Sequence, residues 1–394
     1  MKTMVKIKDV VSTNIKGLWG DNVTEPRSGI PVIKTNNLSY EGKIDYSGVC
    51  FRDIDLQKAQ KNYLQFDDIL AEKSGGTKTH SVGYVSYFDG ESDKYVCNNF
   101  ILVLRPIQSL VRGKFLFYQM RYMYENGIFA DCYNRTTGIQ NLQLTAYLGK
   151  TIHLPAINDQ ENIIIELNSI QGAIEHKRSQ LLALDELVKS RFIELFGEPL
   201  SDSYTTPLRS CCIFNPKKSE KKDWADELLV SFVPMPFVSE QGSIQTDNLR
   251  PFKEVKTGFT YFCENDVLFA KITPCMENGK GAIAQNLHNG IGFGSTEFHV
   301  LRPISNVSNS CWLYYLTRID SFRIMAEKKM TGSAGQKRVP IGFFENLKIN
   351  LPPIELQNEF AEFVKLTDKS KFIVQKQIDD LQELLDSKMD EYFG

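Results

Sequence analysis

Apolar residues along this chain follow two rhythms, and each rhythm occurs twice. Between residues 158 and 196, Ile163, Leu167, Ile170, Ile174, Leu181, Leu184, Val188 and Leu195 recur in steps of four and three, and Lys177 and Arg191 stand where the pattern skips an apolar residue. That spacing predicts an amphipathic helix of about five heptads with a narrow seam, which needs a partner helix to cover it. Asn158 or Asp159 is placed to cap its start after Pro155, and Gly197 to stop it. Residues 355–393 repeat the pattern with Phe360, Val364, Val374, Ile378, Leu381, Leu385 and Tyr392, interrupted by Thr367 and Lys371. At 1.5 Å per residue each helix would be about 55–60 Å long. The polar interruptions Lys177, Thr367 and Lys371 have two readings: they fix the register of the seam, or they mark its exposed ends.

The second rhythm is that of short strands. Gly29–Ile33, Gly83–Phe88 and Phe100–Leu104 in the first half, with Gly281–Ala284 and Glu297–Leu301 in the second, are β-type runs separated by glycine and asparagine clusters. Residues 114–124 and 312–328 read as single helices among them. The mixture predicts α+β domains: a first globular domain over 1–150, a helical spacer over 151–197, a second globular domain over 198–350 and a second spacer over 351–394.

The two halves are copies. Leu104-Arg105-Pro106-Ile107 recurs as Leu301-Arg302-Pro303-Ile304, Leu154-Pro155-Ala156-Ile157 as Leu351-Pro352-Pro353-Ile354, and Gln160 as Gln357, all at an offset of 197 in a chain of 394 residues. Phe196-Gly197 recurs as Phe393-Gly394 at the same offset, and Phe66–Lys73 resembles Glu264–Lys271 close to it. Several matches in one order at one offset mean a duplicated domain, not a solenoid. The expected architecture is two similar globular domains related by a pseudo-twofold, separated by two long helices that pack as an antiparallel coiled coil. Two modules on a rigid bar would suit a target that repeats on the scale of a DNA turn, about 34–36 Å.

Composition narrows the classes. With 42% hydrophobic and 24% charged residues the chain has the balance of an ordinary globular protein, and no apolar run approaches the roughly 20 residues of a membrane span. Met1–Lys6 is followed by no apolar core, so no signal peptide is expected. The eight cysteines include no Cys-x-x-Cys pair, which points to reduced thiols and a cytoplasmic setting. Net charge is −2, with 23 basic and 22 acidic groups in residues 1–197 and 23 and 26 in residues 198–394. A nucleic-acid binder with that balance must gather its basic groups on one surface.

Enzyme signatures are lacking. Gly279-Lys280-Gly281 has neither the upstream glycine nor the hydroxyl residue of a phosphate-binding loop. Asn215-Pro216-Lys217-Lys218 lacks the second proline and the aromatic of an amino-methyltransferase site. Asp247 with Glu254-Val255-Lys256 only faintly mimics a nuclease carboxylate–lysine arrangement, and the first half has no counterpart. The histidines His80, His153, His176, His288 and His299 show no zinc spacing with cysteine. An enzyme acting on DNA alone and a scaffold for protein assembly are the competing classes.

The twin Leu-Pro-x-Ile…Gln helix starts at 154–160 and 351–357, the Thr-Gly pairs with their polar stretches at 137–143 and 331–338, and the Phe-Gly helix ends together resemble the specificity subunits of type I restriction-modification systems over essentially the whole length. The resemblance implies a non-catalytic subunit that reads a bipartite double-stranded DNA target, one part per globular domain. Its helices would serve as ruler and as dock for two methyltransferase subunits, with motor-nuclease subunits joining them. It also implies that S-adenosylmethionine, ATP and magnesium belong to those partners and that this chain holds no cofactor or metal. A specificity chain of a related multi-subunit restriction-modification system is the nearest alternative.

Reading DNA requires polar side chains on base edges and phosphates. In the first half the candidates are Lys73, Ser74, Gly75, Gly76, Thr77 and Lys78, in a glycine-rich loop reaching His80 that joins two β-type runs; then Arg135, Thr137 and Gln140; and then Lys34, Thr35 and Asn36, after a strand. In the second half they are Lys271, Thr273, Asn278 and Lys280, and Ser333, Gln336, Lys337 and Arg338. The stretches around residues 134–141 and 331–338 have a plain alternative as turns leaving a helix, and Lys217–Lys222 is a basic run that could touch phosphate or simply be solvated. Tyr84, Tyr87 and Phe88 are expected in the core, and His176 on the solvent side of its helix.

Overall fold

The computed structural model describes residues 3–25, 28–77, 79–136, 139–198, 200, 204–217, 224–333 and 335–394. The chain divides into two compact units, Met1–Lys177 with Gln377–Gly394, and Arg178–Lys376. Each is a mixture of sheet and helix.

In the first unit, Ile101–Pro106 and Ile69–Glu72 form a central antiparallel pair, flanked by Val11–Ser12 on one side and Val85–Tyr87 on the other. Most of these side chains are apolar and buried, as strands covered on both faces require. A second sheet runs Asp21–Asn22, Cys50–Asp53, Ile30–Ile33, Val96–Cys97, its last pair parallel. The helix Gly113–Glu125 buries Phe115, Leu116, Phe117, Tyr118, Met120 and Met123. Tyr84 and Phe88 lie in the core, as expected, while Tyr87 is half-buried.

The second unit has the matching sheet: Phe298–Pro303 and Val267–Ala270 at the centre, Cys212–Phe214 and Gly281–Ile283 outside. Its other sheet runs Leu249–Pro251, Leu229–Val233, Ile291–Gly294, Thr260–Cys263. The single helix expected over 312–328 is in fact two, Ser310–Arg318 and Asp320–Lys328, because Ile319 adopts extended angles (φ −63°, ψ 145°) between them. The buried faces of both pieces are apolar, so a helical pattern alone did not reveal the break.

Two buried polar devices recur. Asp68, fully buried, accepts two hydrogen bonds from Arg105, each 2.8 Å, and one from the Gln65 N–H. In the second unit Asp266 accepts two at 2.7 Å from Arg302 and one from the Cys263 N–H. The carboxylate raises each guanidinium above its ordinary value. The second device is a glutamine. Gln160 accepts the Arg112 N–H and donates to the carbonyls of Leu110 and Pro155; Gln357 accepts the Asn309 N–H and donates to the carbonyls of Val307 and Pro352. Both glutamines are fully buried, and all three partners keep the offset of 197.

The long helices are Ile157–Phe196 and Ile354–Phe393. The first starts at Ile157, so Asn158 and Asp159 lie inside its first turn and neither is its cap. Gly197 ends it at φ +67°. Of the predicted seam, Leu167, Ile170, Ile174 and Val188 are buried in the first helix and Phe360, Val364, Val374, Ile378 and Leu385 in the second. Leu181, Leu184 and Leu195 are only partly buried, and Phe192, Phe196 and Met389 are buried although the strict heptad count left them out. His176 is exposed, as expected. In the second unit Phe192 and Phe196 pack against Phe360, Arg191 pairs with Glu359 at 2.7 Å, and Lys371 pairs with Asp185 at 2.6 Å. In the first unit Lys388 pairs with Glu166 at 3.0 Å, and Tyr392 donates to the same carboxylate. Thr367 is buried and donates back to the Phe363 carbonyl, so it is a satisfied seam residue and not an exposed end.

Replacing Gln160 or Gln357 by alanine removes a fully buried amide and leaves one backbone N–H and two backbone carbonyls without their partner. Each variant is expected to lose about 1–3 kcal/mol, read as a drop in the urea midpoint. An unchanged midpoint in both would show that these amides carry no stability.

Candidate nucleic-acid interface

The candidate segments lie far apart in sequence within each half, and the fold brings them together in pairs. In the first unit Ser74–Gly75 is a strand, not part of an open loop, and pairs with Gln140–Asn141. Tyr133–Thr136 and Ile139–Leu142 are antiparallel strands paired with each other, where the sequence had allowed a plain turn leaving a helix. In the second unit the bridges Ile272↔Arg338 and Thr331↔Arg338 bring residues 271–280 against residues 331–338. A lysine stands at the same junction in both. Lys73 donates its N–H to the Phe100 carbonyl and accepts from the Leu142 N–H; Lys271 donates to the Glu297 carbonyl and accepts from the Val339 N–H.

The individual candidates fare differently. Ser74 hydroxyl donates to Asn141 at 2.7 Å. Gly76 N–H donates to Glu72, whose carboxyl is pushed above its ordinary value by burial. Thr77 is exposed, and its hydroxyl accepts the N–H groups of Thr79 and His80. Gln140 is buried: its carbonyl accepts the Val82 N–H and its amide donates to the Thr77 carbonyl, so it shapes the loop and does not face outward. Arg135 lies in the strand Tyr133–Thr136. Lys78 and Thr137 lie outside the described residues, as do Gly138 and residues 218–222 of the basic run. Thr35 and Asn36 form a short 3₁₀ turn after Ile30–Ile33, with Asn36 exposed and Lys34 half-buried; the Lys34 N–H donates to Asn37.

In the second unit Thr273 accepts the Lys337 N–H at 3.1 Å, and Asn278 donates to Glu240 at 2.8 Å. Lys280 reaches the Met235 carbonyl. Ser333, Gln336 and Lys337 are exposed. Arg338 is not a free reader: it grips the Glu297 carboxylate, which it holds below the ordinary range. Lys217, Lys256 and Lys271 line one open cleft of about 650 Å³ together with Thr260 and Thr296. Lys256 was met in sequence only as part of a weak nuclease-like pattern; here its ammonium pairs with Asp226 at 2.9 Å, while Glu254 and Asp247 are exposed. Sequence could not have gathered these lysines, because they come from three distant segments.

Near Lys271 lies the buried His299. Its Nε2–H donates to the Val339 carbonyl at 2.8 Å, and its Nδ1 accepts from the Asn215 amide at 3.3 Å. That pattern requires the neutral ring. Burial, with Lys271 nearby, holds its pKa below the ordinary value.

The family model of the type I restriction modification DNA specificity domain matches this chain twice, over residues 2–184 and 211–383. The chain belongs to that family. Among curated members it is 42% identical over 168 residues to the type I restriction enzyme EcoAI specificity subunit of Escherichia coli, a match covering 41% of this chain and 28% of that protein. It is 43% identical over 149 residues to the EcoEI specificity subunit of the same organism, covering 38% and 25%. The chain thus spans only about a quarter of the length of these two relatives. Two solved structures share the fold over nearly the whole chain. One, from work on complex assembly and conformational transition of the type I R-M system, gives a TM-score of 0.57 at 15% identity, covering 99% of this chain and 97% of that one. The other, a type I restriction-modification system S subunit from M. genitalium, gives 0.52 at 14%, covering 100% and 96%. Among the described residues no helix is long and apolar enough to cross a membrane.

Neutral His299 gives a pH dependence with a fixed sign. Its folded pKa lies below the unfolded value of about 6.5, so the unfolded chain binds the proton more tightly and stability falls as pH drops below 6.5. His299→Gln keeps a donor and does not titrate. The difference in urea midpoint between wild type and this variant is expected to shrink between pH 8 and pH 5.5; a constant difference would rule out His299 as a titrating group.

Proposed function

We propose that this chain is the DNA-reading subunit of a type I restriction-modification enzyme, in which each specificity domain reads one part of a bipartite double-stranded target and the chain itself catalyses nothing. The observation that carries the proposal is the double match to the DNA specificity family, falling on two units that each pair the same two candidate segments around an equivalent lysine.

In this reading the long helices form an antiparallel coiled coil that sets the number of unread bases, and the two halves are related by a pseudo-twofold. The ion pairs support it: 166 with 388, 185 with 371 and 191 with 359 rise along one helix as they fall along the other. Two methyltransferase subunits would dock on the helices, and motor-nuclease subunits would join them in the cytoplasm. S-adenosylmethionine, ATP and magnesium would be bound by those partners. With a net charge of −2, the chain needs its exposed lysines on the reading face and phosphate contacts supplied by partners, since phosphate neutralisation dominates DNA affinity.

Expressed in a host with its methyltransferase subunit, the chain is expected to direct base modification to a split sequence of two constant parts around unread bases; a continuous sequence, or none, would refute the proposal. Exchanging residues 1–150 for those of another family member should change one part only. Removing one heptad from the first long helix should shorten the unread gap, and a gap of unchanged length would mean that the helices are not the ruler.

A further inference from the structure

Each unit carries a third segment at the paired candidates, a tight turn over residues 38–44 in the first and 238–244 in the second. In the first unit Leu38 bridges to Ile44 and the Ser39 N–H donates to the Lys43 carbonyl; in the second Val238 bridges to Ile244 and the Ser239 N–H donates to the Ser243 carbonyl. Gly42 and Gly242 lie at φ +85° and +96°, a conformation that only glycine adopts freely. Each also sits against an aromatic ring of the helix below. A Cβ on Gly42 would come within 2.3 Å of Phe117, and one on Gly242 within 1.9 Å of Tyr314. The turn is therefore seated on the equivalent position of the helix in both units, a phenylalanine in one and a tyrosine in the other.

What stands at its tip differs. In the first unit Tyr40 stacks on His80, ring centroids 3.7 Å apart and planes 15° apart, and leans on Tyr84 at 4.5 Å. In the second unit the same place holds Glu240, whose carboxylate accepts from Asn278 at 2.8 Å. In both cases the partner comes from the segment that follows the equivalent lysine, Lys73 or Lys271. Tyr40, Glu240 and Asn278 are exposed and His80 half-exposed. One position in one scaffold thus presents an aromatic edge in one unit and a hydrogen-bond acceptor in the other.

We propose that these pairs are specificity-determining residues. Tyr40 with His80 selects an A·T base pair through apolar contact with the thymine methyl group, and Glu240 with Asn278 selects a G·C pair by accepting from the cytosine amino group. Both pairings follow from what base edges display in the major groove. A carboxylate is also poorly tolerated beside phosphates unless a donor meets it, so Glu240 discriminates against bases that offer only acceptors. The inference rests on the DNA-reading function proposed above.

The test is selection from a randomised duplex library by the full-length chain with its methyltransferase subunit. Three variants are compared with wild type: Tyr40→Glu with His80→Asn, Glu240→Tyr with Asn278→His, and the conservative Glu240→Gln. The first is expected to lower the preference for A·T at one position of one part by about tenfold and move it towards G·C, with the other part unchanged. The second is expected to do the converse in the other part, and Glu240→Gln to relax the G·C position without altering the turn. Thermal denaturation checks that each variant folds, and the glutamine variant keeps the test open should a double variant fail to do so. A split sequence selected unchanged by the variants would overturn the inference while leaving the function standing; one altered in both parts by a change in one unit would overturn the inference together with the reading of one part per domain. If wild type selects no split sequence, both fall.

Discussion

A carboxylate taken wholly out of water has to be matched by donors, and in this protein the match organises each unit. Asp68 and Asp266 each take two hydrogen bonds from an arginine on the neighbouring central strand and one from the backbone of their own turn. Such a pair adds little net stability over an apolar replacement, because desolvation offsets most of the attraction. Its geometry is demanding, however. A one-residue slip of the central strands would bury an unpaired charge, so the register Leu102↔Ala71 and Leu268↔Val300 is fixed. Lys73 and Lys271 follow directly on those strands, and the candidate reading segments inherit their place from the register.

The buried glutamines do for the helices what the aspartates do for the sheets. Gln160 and Gln357 each join three backbone groups: one near the start of the long helix and two in the segment leading into the internal helix. A side chain shorter by one methylene could not reach all three. The same six hydrogen bonds, three in each unit, are also the strongest physical sign that the duplication visible in the sequence is a duplication of structure.

Much of this was legible in the residues themselves. The long helices were, because a seam of alternating four and three steps has no other stable form, and so were the central strands, whose tetrapeptides repeat. The break at Ile319 was not, since both flanking helices keep an apolar face, and neither was the burial of Phe192 and Phe196, which lie off the strict heptad positions but face the Phe360 ring. The candidate segments were found by composition, yet their pairing was invisible: Ser74 and Asn141 are 67 residues apart, and nothing local links them. Gln140 was misjudged for a general reason. Amide side chains suit both base edges and buried loops, and only burial separates the two uses. The turn at Tyr40 and Glu240 was not legible because its two copies differ at the tip and stand 200 residues apart, off the offset of 197 that the other repeats keep.

That turn has an evolutionary consequence. Its backbone is anchored by a glycine against an aromatic side chain, and its hydrogen bonds are made by main-chain atoms and by the hydroxyl of Ser39 or Ser239, so the turn does not depend on the residue at its tip to close. Tyrosine and glutamate occupy the two copies without disturbing either. A protein built this way can acquire a new preference by point mutation and drift while its core stays untouched, and gene duplication hands it two such positions to vary independently.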